Sequence, residues 1–262
     1  MNDPIEYKPG KISIGNAPSN NRLYVSTRGT ASWRESLTGP GRPWKPGSSA
    51  YELAVSWENS SRTVSGLPGT IEALFRENGF VDPVLVFAVA GHRLDLSGGG
   101  AVSRNDLWAM VKTAEGPVAL TVEAKARESF KDDTLEQWLV SGGATNTFEN
   151  RKNRWEFLLS HLPRTSTYLQ VRRYLLHRCV ASIIEARRLA LSHSAFVIQS
   201  FDAADPYYED YADFCRALRI PSDRGNMSTI SMGDMSLSVG WVDCDPAPKK
   251  HDSPALPNDT TD

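Results

Sequence analysis

The stretch that decides the fold is residues 103–130, which read SRNDLWAMVKTAEGPVALTVEAKARESF. Two parts of it, Ser103–Thr113 and Val118–Lys125, are rich in residues that favour strands. The four residues between them, Ala-Glu-Gly-Pro at 114–117, form a typical turn sequence. We therefore predict two antiparallel strands joined by a short turn.

The turn also predicts how the two strands pair. With the four turn residues left unpaired, Asp106 lies opposite Lys125 and Glu123 lies opposite Trp108. Because side chains alternate along a strand and paired residues share a face, Asp106, Glu123 and Lys125 lie on one face. A slip of one residue would separate Asp106 from the other two. The opposite face carries only apolar side chains, namely Leu107, Ala109, Val111, Val118, Leu120, Val122 and Ala124.

Two carboxylates and an ammonium group on one face have a physical logic as a chemical site. Carboxylates a few ångströms apart repel each other, and one of them holds a proton unless a cation intervenes. Mg²⁺ commonly binds one or two protein carboxylates and keeps several waters. A neighbouring lysine can orient an attacking water or offset charge in the transition state. The alternative is a surface hairpin in which Glu123 and Lys125 are solvated and pair with cross-strand neighbours.

Asp106, a spacer of sixteen residues and then Glu123-Ala124-Lys125 resemble the motif of the PD-(D/E)xK nuclease superfamily, the restriction-endonuclease-like fold. That fold has a helix, three strands, a helix and a strand, with the Asp on the second strand and the Glu-x-Lys on the third. The resemblance implies that Asp106, Glu123 and the carbonyl of Ala124 bind Mg²⁺ or Mn²⁺. It also implies that Lys125 is the catalytic lysine. The chain departs from the motif at Asn105, which occupies the position of the proline that precedes the Asp in the motif.

The resemblance implies a function as well as a fold. It implies metal-dependent hydrolysis of phosphodiester bonds in DNA, and a homodimer is common in this superfamily where both strands are cut. The words SRNDL, VEAKARESF and RRYLLHR are also similar to an uncharacterised bacterial domain family within or near the superfamily. The alternative is a catalytically inactive module of the same fold that binds nucleic acid or a protein partner.

Four further residues are candidates for a supporting role. Glu52 lies on a helix where this superfamily often has an extra acidic ligand, although a capping box with Ser49 is the slightly favoured explanation. Glu128 follows the third strand and is either a ligand or a solvated loop carboxylate. Gln170 and Tyr174 form a Gln-x-x-x-Tyr pair that resembles RecB-like members, and a partly buried helix face is the alternative.

Basic residues are concentrated in one part of the chain. Residues 150–190 hold nine Lys or Arg against two Glu, whereas the whole chain has a formal net charge of -2. Such asymmetry favours a face that binds nucleic-acid phosphates through Arg172, Arg173 and Arg178. A solvated helical surface facing acidic neighbours is the alternative.

The remaining pattern predicts an α/β fold with a restriction-endonuclease-like core, in which a central mixed β-sheet is flanked by helices. The Ser49-Ala-Tyr-Glu pattern starts one helix, and a hairpin is predicted around Gly233-Asp234. Helices are predicted over 49–59, 68–78, 132–139, 148–162, 168–191 and 205–218, and further strands over 83–90, 195–201 and 227–242.

Length and composition restrict the class of protein. The 262 residues, 40% hydrophobic and 23% charged, suit one folded domain over 21–244 between a flexible N-terminus (1–20) and a disordered tail (245–262). The net charge excludes a polybasic protein that coats nucleic acid through charge alone. Three widely spaced cysteines and the absence of a signal-like or membrane-spanning segment predict a cytoplasmic protein without disulfides.

Overall fold

The structure is a computed structural model. The predicted N-terminal segment 1–20, the predicted tail beyond residue 247 and Glu128 lie outside the residues that it describes. The described residues are 29–38, 43–97, 102–127, 133–141, 145–164, 167–202 and 207–247.

A six-stranded mixed sheet forms the centre of the molecule, as predicted. Its strand order is β1-β4-β5-β6-β8-β7, and a separate pair, β2 and β3, forms a small second sheet. The β1, β4 and β5 strands are antiparallel, β6 runs parallel to both β5 and β8, and β7 closes a hairpin with β8. The strands are β1 Val84–Ala90, β2 Arg93–Leu94, β3 Ser103–Arg104, β4 Leu107–Thr113, β5 Gly116–Lys125, β6 His193–Ser200, β7 Asn226–Ser231 and β8 Ser236–Asp243.

Helices cover both faces of the sheet. The first three helices pack against one face in one hydrophobic cluster, and the last four pack against the other face in a second cluster. Within the described residues, none of the helices has the length and apolar character needed to cross a membrane. The helices are α1 Trp33–Leu37, α2 Ser49–Ser60, α3 Gly69–Glu77, α4 Leu135–Val140, α5 Thr145–Leu159, α6 Arg173–Arg188 and α7 Tyr208–Leu218.

The long helix predicted over 168–191 is shorter than expected. Residues Thr167–Gln170 form a separate 3-10 turn, and α6 begins only at Arg173. The interruption has a backbone cause, because Leu135 N–H donates to Val171 O and Arg173 N–H donates to Asp133 O. These bonds hold the chain extended just before α6, and a helix cannot continue through it.

The strand predicted over 103–113 is also interrupted, at Asn105 and Asp106. Asn105 N–H donates to His92 O and Gly91 N–H donates to Asp106 O, each at 2.8 Å. Gly91 has a φ of 64°, and a Cβ there would lie 2.1 Å from the carbonyl oxygen of Ser36. The turn after β1 therefore requires glycine, and it holds the chain in a bend at Asp106.

The predicted pairing of β4 with β5 is wrong by two residues. Thr113 pairs with Gly116, so the turn contains only two residues instead of four. A shift of two keeps every side chain on its predicted face but changes its partner. Trp108 pairs with Thr121 rather than Glu123, and continuing the register places Asp106 opposite Glu123 rather than Lys125.

The predicted apolar face of the hairpin is confirmed. All seven of its side chains belong to the cluster that includes Leu53, Trp57 and Ile71 on α2 and α3. The other face of β5 lies under α6, and Thr121 Oγ1 donates to Arg178 O at 3.2 Å. The polar side chains of the hairpin are therefore enclosed between the sheet and a helix.

Candidate active site

Two carboxyl groups lie together at the end of the hairpin where β4 begins and β5 ends. The Glu123 side chain is 2% exposed, and the half-buried carboxyl group of Asp106 lies close enough to interact with it electrostatically. Asp106 Oδ2 accepts the N–H of Ala124 at 3.0 Å. Because a strand residue presents its N–H and C=O to the same neighbour, the Ala124 carbonyl also faces this end of β4. Three oxygen-bearing groups therefore lie together here.

The electrostatics of Glu123 follow from this placement. Burial raises the pKa of Glu123 well above its ordinary value, and the neighbouring Asp106 raises it further. Arg178 and Lys125 act in the opposite direction without cancelling the rise. The pair of carboxyls therefore favours sharing a proton or acquiring a further cation.

Two cationic side chains lie near the carboxyls, and both contact the aromatic ring of Tyr174. Arg178 Nε donates to Glu123 Oε2 at 2.9 Å, and Arg178 Nη1 donates to Ser103 Oγ at 2.9 Å. Lys125 Nζ lies 4.9 Å from the centre of the Tyr174 ring, and Arg178 Cζ lies 4.3 Å from it. The structure thus brings together the predicted residues Asp106, Glu123, Lys125 and Tyr174.

Two of the predicted supporting residues lie elsewhere. Gln170 belongs to the 3-10 turn and donates to Glu136 Oε2 at 2.7 Å, so the Gln-x-x-x-Tyr pair with Tyr174 is not formed. Glu52 accepts the N–H groups of Gly47 and Ala247, each at 2.6 Å. The predicted capping box is absent as well, because Ser49 is the first helical residue and Ser48, at the N-cap position, makes no side-chain capping bond.

The three arginines predicted to bind nucleic acid do not form one open surface. Arg172 Nε donates to Asp210 Oδ1 at 2.8 Å. The guanidinium group of Arg173 lies 5.1 Å from the centre of the Trp138 ring. Arg178 is 13% exposed and is engaged in the site itself. The alternative of a helical surface with acidic neighbours therefore describes Arg172 better.

The donor set suits a hard cation that keeps several waters. Asp106 and Glu123 supply carboxylate oxygens, and Ala124 supplies a carbonyl oxygen, as Mg²⁺ or Mn²⁺ prefers. In the part of the chain that the structure describes, no group of three His, Cys, Asp or Glu side chains could hold a metal. A site here would therefore have two carboxylates and depend on water and substrate for its remaining ligands.

Two residues of the site are not identified by the sequence patterns. The patterns place Arg178 on the nucleic-acid surface and give Ser103 no role, yet Arg178 bonds both Glu123 and Ser103. A signal for Arg178 existed, because it follows Tyr174 by four residues and therefore shares its helix face.

Asn105, next to Asp106, is fully buried, and among the described residues nothing in the structure pairs with its side-chain amide.

Comparison with known proteins adds a family but no activity. A family model described as "Domain of unknown function (DUF6946)" matches residues 26–246, which is most of the chain. Neither the curated proteins nor the solved structures contain a match.

Proposed function

The chain belongs to the DUF6946 family, and we propose that it is a metal-dependent nuclease that hydrolyses phosphodiester bonds in DNA. The observation that carries the proposal is the placement of Asp106, Glu123 and Lys125 together at one end of the hairpin, where Asp106 Oδ2 accepts the Ala124 N–H between Glu123 and Lys125. Two carboxylates, a backbone carbonyl and an ammonium group at the end of one hairpin are what such a reaction needs.

The order of elements supports a restriction-endonuclease-like core. Helix α3 is followed by β1, β4 and β5, and then by α6 and β6. Asp106 immediately precedes the second of these three strands, and Glu123 and Lys125 lie on the third. The PD-(D/E)xK resemblance implies an Asp on the second strand and Glu-x-Lys on the third, so the Glu-x-Lys placement agrees with it and Asp106 lies one residue before the expected strand. The additional β7–β8 hairpin extends the sheet at its far edge.

Each residue has a role in the proposed reaction. Asp106, Glu123 and the carbonyl of Ala124 would hold Mg²⁺ or Mn²⁺, which when bound polarises the phosphate and lowers the pKa of water. Lys125 is 6% exposed, and its ammonium group lies beside the Tyr174 ring. From there Lys125 would orient the attacking water and offset negative charge that develops on the phosphate.

One observation favours the alternative, an inactive module of the same fold that binds nucleic acid or a protein. Glu123 already has an ion pair with Arg178, and Asp106 already accepts a backbone N–H. Both carboxyls therefore have partners without a metal. The test of the nuclease proposal must distinguish these two functions by measuring metal binding and cleavage separately.

The test is cleavage of single- and double-stranded DNA with Mg²⁺ or Mn²⁺, using the full chain. Asp106→Asn keeps an acceptor for the Ala124 N–H but removes a charge, and Lys125→Ala removes the ammonium group. We expect each to lower the cleavage rate by about 100-fold or more, as the loss of one charge-stabilising group does elsewhere. The matched controls are Asp234→Asn and Lys112→Ala, because both side chains are exposed, Asp234 between β7 and β8 and Lys112 at the other end of β4 from the site.

The outcomes separate the two functions. Metal-dependent cleavage that is lost in both site variants and kept in both controls supports the nuclease. If the wild-type protein neither cleaves DNA nor binds Mn²⁺, the nuclease proposal fails. DNA binding without cleavage or metal affinity would support the inactive module.

A further inference from the structure

The Arg178 side chain is held by contacts in several directions. Its Nε donates to Glu123 and its Nη1 donates to Ser103, which precedes Asp106 in the chain. Its guanidinium group lies 4.3 Å from the centre of the Tyr174 ring. Its own carbonyl accepts the Thr121 hydroxyl from β5, so the main chain at this point of α6 is fixed to the sheet as well.

These contacts determine the orientation of the Glu123 carboxyl. A glutamate side chain has several rotamers, and confining it to one costs conformational entropy that directional bonds must offset. Hydrogen bonds between a guanidinium and a carboxylate are short, directional and about twice as strong as neutral ones. At 2.9 Å and with Glu123 2% exposed, the bond from Arg178 is of this kind.

Helix α6 organises the site through residues four apart. Tyr174 and Arg178 lie on the same face of the helix, and Tyr174 also contacts the Lys125 ammonium group. One turn of helix thus reaches both Glu123, through Arg178, and Lys125, through Tyr174. At the site Tyr174 is therefore paired with Arg178, whereas the predicted partner Gln170 bonds Glu136.

We propose that Arg178 is a positioning residue that holds the Glu123 carboxyl in its metal-binding orientation, an inference that rests on the proposed nuclease function. Its guanidinium acts through Glu123, and Tyr174 keeps it in place. Outer residues that orient a metal ligand typically contribute about 10- to 100-fold to metal affinity. The two possible roles of Arg178 predict opposite effects of replacing it. If Arg178 orients Glu123, its replacement weakens metal binding. If Arg178 only competes with the metal for Glu123, its replacement strengthens metal binding.

The test is the affinity for Mn²⁺ alone, measured by titration calorimetry on the full chain without DNA. We expect Arg178→Met to raise the Kd by about tenfold and to lower kcat more than it raises KM. Arg178→Lys keeps a positive charge, but one ammonium group cannot bond Glu123 and Ser103 as the guanidinium does. Its Kd should therefore lie between those of the wild type and Arg178→Met.

The control is Arg172→Met, which removes a nearby arginine that pairs with Asp210 outside the site. Its Mn²⁺ affinity should stay within about twofold of wild type. Unchanged or tighter Mn²⁺ binding by the Arg178 variants would overturn the positioning role while leaving the nuclease proposal intact. If wild type does not bind Mn²⁺, both fail. If Arg178→Met does not fold, the Kd of Arg178→Lys decides.

Discussion

The two faces of the β4–β5 hairpin obey different physical rules. On one face, side chains such as Leu120 and Val122 are fully buried against α2 and α3. On the other face, Glu123 and Lys125 are almost as deeply buried, yet they are charged groups held by Arg178 and Tyr174. Burial of apolar surface stabilises the first face. On the second face, burial removes the hydration of charged groups, and their ion pairs and ring contacts offset only part of that cost.

This difference teaches where the hairpin's stability and its chemistry reside. Removing apolar volume leaves a cavity and lowers the free energy of unfolding. Removing one of two neighbouring carboxylates can raise that free energy while abolishing activity, because functional sites are commonly strained. Substitutions on the two faces should therefore have opposite signs of effect.

The largest effect is expected on the apolar face, for Leu120→Ala. Leu120 is fully buried in the cluster between the sheet and the first three helices. The lost side-chain volume should lower the free energy of unfolding by about 2–5 kcal/mol, measured by urea denaturation. Lys112→Ala is the control, since Lys112 is exposed on the neighbouring strand, and it should change stability by less than about 0.5 kcal/mol. A loss below about 1 kcal/mol for Leu120→Ala would contradict this account of the face.

The next effect concerns His177 on α6, the helix that covers the polar face. Burial lowers the pKa of His177 to about 3, and the positive charges of Arg173, Arg154 and Arg178 contribute. In the unfolded chain His177 takes up a proton as the pH falls below its ordinary pKa of about 6.5, whereas in the folded chain it does so only near pH 3. Stability due to His177 is thus fully present above pH 6.5 and is lost as the pH falls toward 3.

His177→Gln removes this titration. Between pH 7 and pH 4.5 the wild type should lose about 2 kcal/mol more of its free energy of unfolding than the variant does. Urea denaturation of both proteins at the two pH values measures the difference. Equal losses in both proteins would show that His177 is not held neutral between the arginines.

The faces of the hairpin were predictable from sequence, whereas its register was not. A shift of the strand pairing by two residues leaves every side chain on the same face, whereas a shift by one moves it to the other face. The alternation of apolar residues along β5 excludes odd shifts but allows even ones. The turn length depends on backbone geometry at Gly116, whose φ is 124°. The same letters, Ala-Glu-Gly-Pro, suit a turn of two residues or of four, so pattern alone could not decide.

The roles of Gln170 and Arg178 were beyond local sequence for a different reason. The end of the 3-10 turn after Gln170 is fixed by backbone bonds to residues 133–135, a contact that helical periodicity does not reveal. Arg178 pairs with Glu123, which lies 55 positions away. A count of basic residues predicts a positive surface but cannot tell which arginine turns inward to neutralise a buried acid.

The smallest effect, and the one with the opposite sign, is expected for Asp106→Asn without metal. The amide oxygen can still accept the Ala124 N–H, and the ion pair of Arg178 with Glu123 is untouched. What disappears is the unfavourable effect of the Asp106 charge on Glu123, the same effect that raises the pKa of Glu123. Cross-strand pairs contribute about 0.2–1 kcal/mol, and like charges directly opposite each other are destabilising. The free energy of unfolding at pH 7 should therefore rise by about 0.5 kcal/mol, while Asp234→Asn, in an exposed turn, should leave it unchanged. A fall instead would mean that the carboxylate's hydrogen bond to Ala124 stabilises the hairpin more than the repulsion costs, and the polar face would then contribute to stability as the apolar face does.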